Sequence, residues 1–216
     1  MPEVLPATDW AAERWQALWR RMASGYDGSA DYFTLRRAYD EPHRAYHTFA
    51  HIAACLRWYD AAVEAGAAAR NDLLELAIWF HDAIYDPHRS DNEARSARWW
   101  QKLANKAGVA AGEVAQVADW IMLTRHVDTP VDPLAVLLID IDLAILGSDA
   151  DVFAEFERQV RQEYRWVPGL IYRRKRREVL ASFLARPRVY GTDYFEARLG
   201  RQAMLNLAQA IAALGG

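Results

Sequence analysis

Apolar residues recur along this chain at steps of three and four, the spacing that places side chains on one face of an α-helix. Trp15, Leu18, Trp19 and Met22 show this spacing near the start, and alternating β-branched runs and Asn-Gly turns are nearly absent. The pattern therefore predicts an all-α fold. Helices are predicted at about 9–23, 30–39 and 46–66, from Asn71 or Asp72 to just before Pro87, and from near Asp91 to Gly108. Further helices are predicted at about 112–126, 132–147 and 149–165, between Pro168 and Pro187, and at 194–214.

No Gly/Ser-rich or Pro-rich linker and no internal repeat interrupts the 216 residues. A chain of this length can bury one sizeable core. We therefore expect a single domain over 1–216, built as a helical bundle in which the helices at 149–214 pack on a part formed by about 30–147.

The composition is that of a folded protein, with 52% apolar and 25% charged residues, nine Trp and ten Tyr. The net charge of −3 argues against a protein that coats nucleic acid, which normally carries a marked basic excess. The first residues lack the basic start and apolar run of a signal peptide, and no run of 18 uncharged apolar residues occurs. We therefore expect a cytosolic protein without a membrane partner. Cys55, the only cysteine, lies among apolar residues at helical spacing, which indicates core filling.

His47 and His51 are four residues apart in one predicted helix. Both can therefore lie on one face, where two imidazoles can approach the same ion or the same substrate group. The alternative interpretation is a pair of hydrogen-bonded core histidines.

His81 and Asp82 follow the nearly continuous apolar run LLELAIWF, and Asp140 and Asp142 lie within the apolar run LLIDIDLAILG. Adjacent residues of a helix point about 100° apart, so His81 and Asp82 are not adjacent simply to pair with each other, but they can converge on something between them. A buried carboxylate costs several kcal/mol unless a cation or strong donors compensate it. A solvated helix end for the first pair, and an N-cap or a buried arginine partner for the aspartates, are the competing interpretations.

The segments YHTFAHI, LAIWFHDAIYDPHRSDNEARSA and DIDLAILG contain, in order, a histidine, an adjacent His-Asp and a later aspartate. This order resembles the H…HD…D pattern of the HD-domain superfamily of metal-dependent phosphohydrolases, and in particular a compact bacterial branch of it. The resemblance extends over nearly the whole chain. It implies a metal-binding core at about 30–147, with His51, His81, Asp82 and either Asp140 or Asp142 as ligands.

Two imidazoles and two carboxylates suit a divalent transition metal, namely Mn, Fe, Co, Ni or Zn, and Mg is a further candidate. The resemblance implies that such an ion activates water for attack on a phosphoester and polarises a phosphoryl oxygen. Asp142 is favoured over Asp140 because HD ligands commonly stand directly before the next apolar helical stretch. The other aspartate is then expected to hold a ligand histidine in its correct tautomer.

Further residues have roles that the resemblance allows. His47 and His126 are predicted to bind substrate, with a second metal as the other role that HD proteins give to extra histidines. For His126, which follows a predicted helix in LTRHV, a surface position is the competing interpretation. Asp91 and Glu93 are predicted general acid or base candidates, although both also fit the acidic first turn of a helix. Within the basic run 173–177, Lys175 and Arg177 are predicted to hold a phosphate, and the other members are expected to be solvated.

These observations predict a metal-dependent phosphohydrolase, a phosphomonoesterase or phosphodiesterase that acts on a small molecule, with a nucleotide as the substrate that the superfamily implies. The first alternative is a catalytically silent module that keeps the metal and senses a nucleotide. The second is a helical interaction protein without metal. Trp99 and Trp100 suit either a homodimer interface or the core and its cover.

Overall fold

The computed structural model describes residues 7–23, 25–127 and 130–215, and the side chains from Trp10 onward within those ranges. The predicted all-α fold is confirmed, since the described residues contain helices and no strand. The helices are α1 (Ala7–Met22), α2 (Ser29–Tyr39), α3 (Phe49–Glu64), α4 (Asp72–Phe80), α5 (Asn92–Ala107) and α6 (Ala111–Leu123). They continue with α7 (Pro133–Asp142), α8 (Ala150–Glu163), α9 (Gly169–Leu184), the single turn α10 (Asp193–Phe195) and α11 (Arg201–Leu214).

Helix α4 occupies the centre of the fold. It packs against α1, α3, α5, α6 and α7, and every residue from Leu74 to Phe80 is buried. This position explains why its sequence is apolar on all sides, as expected for a helix surrounded by others. Its one buried charge, Glu75, pairs with Arg14 of α1 at 2.7 Å. Asn71 begins the helix by accepting a hydrogen bond from the Leu74 amide at 2.9 Å, as predicted.

Helix α3 begins three residues later than the sequence predicts. Thr48 has an extended backbone and is the N-cap residue, so the helix starts at Phe49 and His47 lies in the segment before it. The amides of residues 45–47 donate instead to the carboxylate of Glu163, at 2.8 to 3.0 Å. The prediction that His47 and His51 share one helix is therefore wrong.

The predicted helix 132–147 consists of α7 followed by a tight 3₁₀ segment, Leu143–Gly147. Asp132 caps α7 through the Leu134 amide, and Pro133 occupies the first turn, where its missing N–H costs nothing. Helix α11 packs on α9 and on the 3₁₀ segment, and a π-helical turn, Glu196–Gly200, joins α10 to it. No helix among the described residues has the length and apolar character needed to cross a bilayer.

Candidate metal centre

Four predicted ligands meet where α3, α4 and α7 approach one another. His51 Nε2 lies 3.2 Å from His81 Nε2, 3.6 Å from Asp82 Oδ2 and 3.2 Å from Asp142 Oδ1. His81 Nε2 lies 3.3 Å from Asp82 Oδ2 and 3.5 Å from Asp142 Oδ1. His51 and His81 are buried, and the two aspartate side chains are 17% and 14% exposed. Side chains up to 91 positions apart in sequence thus direct their donor atoms at one point.

These separations can be tested against the geometry of a bound ion. Ligand bonds of about 2.1 Å in a tetrahedral site place neighbouring ligand atoms about 3.4 Å apart. The five measured separations span 3.2 to 3.6 Å. Two nitrogens and two carboxylate oxygens are also a donor set that divalent transition metals accept. The residues present therefore fit a metal ion.

A buried arginine holds the two ligand-bearing segments together. Arg44 donates to the backbone carbonyls of His47 and Asp82, both at 2.8 Å, and to that of Ala83 at 3.1 Å. His81 also points its second nitrogen, Nδ1, at the Ile78 carbonyl 2.9 Å away, which leaves Nε2 for the cluster. The protein's own hydrogen bonds thus orient the ligand atoms.

Cys55 lies closer to the cluster than the sequence analysis anticipates. It belongs to the hydrophobic core, as predicted. Its Sγ nevertheless lies within 4.8 Å of one ligand atom of each of His51, His81 and Asp142, and these atoms lie equally close to one another. Its Sγ is 3.7 Å from both ring nitrogens of His51, so it lies against the imidazole and not beyond Nε2. Burial raises the pKa of the thiol well above its ordinary value. Asp82 is therefore the better fourth ligand.

The charges of the cluster are those of a site that could hold a cation. Burial opposes protonation of His81, but the charge of Asp82 and the hydrogen bond with Asp142 outweigh it and raise the pKa of His81 well above its ordinary value. Burial likewise disfavours ionised Asp142, yet hydrogen bonds from His126, His51 and His81 hold its pKa well below the usual range. The cluster therefore favours positive charge beside its carboxylates, which a bound divalent cation would supply.

Asp140 lies outside the cluster. The two roles predicted for it, metal ligand and hydrogen-bond partner of a ligand histidine, are therefore wrong. Its carboxylate accepts from the amide of Gly191 at 2.8 Å and from the amide and hydroxyl of Thr192 at 2.7 and 2.6 Å. Two steps along a helix turn the side chain by about 200°, so Asp140 and Asp142 face opposite ways. Asp140 thereby attaches the segment that leads into α10 to α7.

His126 contributes a fifth polar group at the edge of the cluster. Its Nε2 lies 3.1 Å from the second oxygen of Asp142, and its ring lies edge-on to Phe183. Its backbone has φ 57°, a left-handed conformation that is uncommon for a residue other than glycine. Nδ1 is buried without a hydrogen-bond partner among the described residues. The structure thus places His126 at the site and not on a remote surface.

His47 is held by a buried carboxylate that the sequence analysis missed. Glu163, the last residue of α8, lies 2.7 Å from His47 Nδ1 and accepts from the Tyr85 hydroxyl at 2.8 Å through the same oxygen. Burial raises the pKa of Glu163, but the hydrogen bond and charge of His47 and the backbone donors outweigh it and lower the pKa to about 2. The ring of His47 stacks on Tyr85 at 4.1 Å. The sequence contains one signal for this role of Glu163. A carboxylate at a helix C-terminus interacts unfavourably with the helix dipole, so an acidic residue there indicates another interaction that stabilises it.

A cleft of about 520 Å³ opens over the cluster. This volume is in the range of small-molecule sites. Asp82, Asp142, His47 and His126 lie in its wall. The wall also contains aromatic and cationic side chains, namely Tyr46, Tyr85, Phe156, Tyr164, Tyr172, Phe183, Arg89, Arg125, Lys175 and Arg176.

Of the remaining predicted site residues, Glu93 and Lys175 line the cleft, and Asp91 and Arg177 do not. Glu93 lines the cleft, whereas Asp91 is outside its wall, half-exposed and paired with Arg89 at 2.7 Å. Lys175 lines the cleft, although its Nζ reaches Glu178 at 2.9 Å.

Arg177 does not line the cleft and faces a groove beside the end of α11. The neighbouring Arg176, which the sequence analysis left among the solvated cations, takes its place and pairs with Glu157.

Comparisons with protein-family models, with curated proteins and with solved structures gave no match. The assignment to the HD-domain superfamily therefore stays a prediction that rests on the three sequence segments.

Proposed function

We propose that the protein is a metal-dependent phosphohydrolase that cleaves a phosphoester of a small molecule, with a nucleotide as the favoured substrate. The observation that carries the proposal is the set of five separations of 3.2 to 3.6 Å among the ligand atoms of His51, His81, Asp82 and Asp142. A divalent ion held by these groups supplies a Lewis acid and lowers the pKa of water.

His47 is suited to protonate the oxygen of the leaving group. Because Glu163 is ionised and can only accept, the ring presents Nδ1–H to it and has Nε2 left for the cleft. Burial opposes protonation of His47, but the charge of Asp82 and the hydrogen bond to Glu163 outweigh it and raise the pKa of His47. A protonated imidazole with a fixed ring is a competent general acid near neutral pH.

The rest of the cleft offers contacts for a phosphate and for a flat ring. The Arg125 side chain has no hydrogen bond or ion pair with another described residue, so its guanidinium is available for a phosphate oxygen. The Glu93 carboxylate likewise has no hydrogen bond or ion pair in the described part of the chain, and it can accept a proton or a hydrogen bond from a sugar hydroxyl. Tyr164, Tyr172 and Phe183 supply aromatic surface on which a nucleobase can stack.

The test is to measure bound metal and phosphate release from a panel of nucleotides and simple phosphoesters. His81→Ala and Asp82→Asn should lose both metal and turnover. His88→Ala and Asp86→Asn are matched controls, because these two residues are exposed and pair with each other away from the cluster. If His81→Ala and Asp82→Asn retain metal and turnover at the level of the controls, the proposal is wrong.

The same experiment separates the enzyme from the sensor. A sensor would keep its metal and gain thermal stability with a nucleotide, but would release no phosphate. His47→Gln gives a second discrimination, because it leaves the four proposed ligands in place. We expect it to retain metal and to lose most of its turnover, with KM less affected than kcat.

A further inference from the structure

The charge of the chain is distributed very unevenly. Residues 158–188 contain ten of its 26 Arg and Lys residues but only two of its 29 Asp and Glu residues. This segment therefore carries a net charge of +8, and the rest of the chain carries −11. Four of the ten cations form close ion pairs with Glu155, Glu157, Glu178 or Asp193. Where the other arginines cluster on one surface, they indicate an anionic partner.

Helix α9 carries five of these ten cations, and most of its residues are exposed although α11 packs against it. Only Tyr172, Leu180 and Phe183 of its 16 residues are buried. Arg173 and Arg177 have no acidic partner among the described residues, and Arg174 has only a 4.0 Å contact with Glu178. Leu170 and these three arginines line one groove, together with the end of α11.

Large apolar side chains stand exposed at the same end of the helix. Leu170 is 75% exposed and Ile171 46% exposed at the start of α9, and Trp166 is 50% exposed in the turn before it. Trp166 is held by stacking on His88 at 4.4 Å. Arg165 and Arg173 flank these residues in sequence. Exposed aliphatic and indole groups beside arginines are the composition of an interfacial membrane contact.

We propose that the surface formed by Trp166, Leu170, Ile171, Arg173, Arg174 and Arg177, the α9 surface, docks on membranes that contain anionic phospholipid. The arginines meet the lipid phosphates, and the apolar side chains enter the boundary between headgroups and acyl chains. RNA would match the charge and could stack on Trp166, but it would leave Leu170 and Ile171, which have no planar face, without a partner. A two-fold symmetric dimer through this surface would bring arginine against arginine.

This inference is independent of the proposed phosphohydrolase activity, and it replaces the expectation that the protein has no membrane partner. That expectation came from the absence of a spanning segment, and such a search does not detect a helix that lies on a surface. Lys175 and Val179 of the same helix line the cleft. These two positions lie about 140° and 180° around the helix from Leu170, so docking would leave the cleft on the other side of α9.

The test is co-sedimentation of the full chain with vesicles of phosphatidylcholine alone and with one third phosphatidylglycerol, in low and in high salt. We expect binding only to the anionic vesicles, and weaker binding in high salt. Each arginine near such a surface contributes about 1 kcal/mol, so Arg173→Gln with Arg174→Gln should weaken partitioning roughly 30-fold. Leu170→Ser should weaken it roughly tenfold.

Matched controls come from the opposite end of the chain. Arg20→Gln with Arg37→Gln removes two exposed arginines, and Phe33→Ser removes a side chain that is 62% exposed. Both should bind like the unmodified protein, and circular dichroism should show that all variants are folded. No binding to anionic vesicles, or equal losses in the controls, would overturn the proposal. So would binding to single-stranded RNA that requires the same arginines while vesicle binding is absent.

Discussion

Replacing Glu163 by glutamine tests the buried carboxylate that organises one side of the cleft. The amide has almost the same shape as the carboxylate, so the three backbone N–H donors of residues 45–47 keep an acceptor. The negative charge is lost, however, and the second oxygen becomes an NH₂ group that cannot accept from His47 or Tyr85. The variant therefore isolates the charge from the shape.

The size of the effect follows from the pKa of Glu163, which is about 2 in the folded protein against an ordinary 4.5. A carboxyl group with a lowered pKa stabilises the fold above its unfolded pKa, and this stability is lost as the pH falls toward the folded pKa. The shift corresponds to about 3 kcal/mol at pH 7. By the same linkage about 2 kcal/mol remains at pH 3.5, and less than about 1 kcal/mol at pH 2.5.

The assay is urea unfolding of both proteins at a series of pH values between 7 and 2.5. Glu163→Gln should be less stable by about 3 kcal/mol at pH 7, and the difference should shrink steadily as the pH falls. Glu155→Gln is the matched control, because Glu155 lies on the same helix but is exposed and paired with Arg158. Its effect should stay within about 0.5 kcal/mol at every pH. A deficit for Glu163→Gln that does not change with pH would refute the reasoning.

Three further predictions follow from other contacts. Asp140→Ala should cost about 1–2 kcal/mol in urea unfolding, because the amides of Gly191 and Thr192 lose the carboxylate that they bond. It should keep the metal that Asp142→Ala loses, and metal loss from both variants would place Asp140 in the cluster. Gly28→Ala should lower the free energy of unfolding by more than about 1 kcal/mol, because φ is +68° and the added Cβ would lie 2.9 Å from an indole carbon of Trp19. Gly112→Ala has open space in a helix and should stabilise the protein, so similar melting temperatures for the two variants would contradict this. Zinc at 100 times its dissociation constant should raise the unfolding free energy of chelator-treated protein by about 2.7 kcal/mol. It should leave the stability of His81→Ala unchanged, and equal stabilisation of both proteins would contradict the proposed metal site.

The parts of the fold and site that could be predicted are those with a local signal. The apolar run of α4 predicts a buried helix, and the change to polar residues at its end predicts that His81 and Asp82 lie where the core meets a cleft. The opposed directions of Asp140 and Asp142 follow from helical geometry. Their assignment does not, because Gly191 and Thr192, which hold Asp140, lie about 50 residues away.

The parts that could not be predicted depend on contacts between distant segments. Glu163 removes the amides of residues 45–47 from a possible helix, and it is 116 positions from His47. The choice of Arg176 over Arg177 depends on the exact rotation of α9 against α8, which a run of five cations does not reveal. Helical periodicity states which side chains share a face, but not which neighbour that face meets.

The hydrogen bonds from Arg44 to the backbone carbonyls have a consequence for how the protein would acquire a metal ion. This guanidinium joins the carbonyls of His47, which precedes the helix of His51, and of Asp82. Because the polypeptide's own hydrogen bonds link these two segments, we expect the protein to fold without the ion. Loading can then follow folding, and cellular supply together with the intrinsic preference for later transition metals decides which ion enters. Preparations from differently supplemented media should thus carry different metals in the same scaffold.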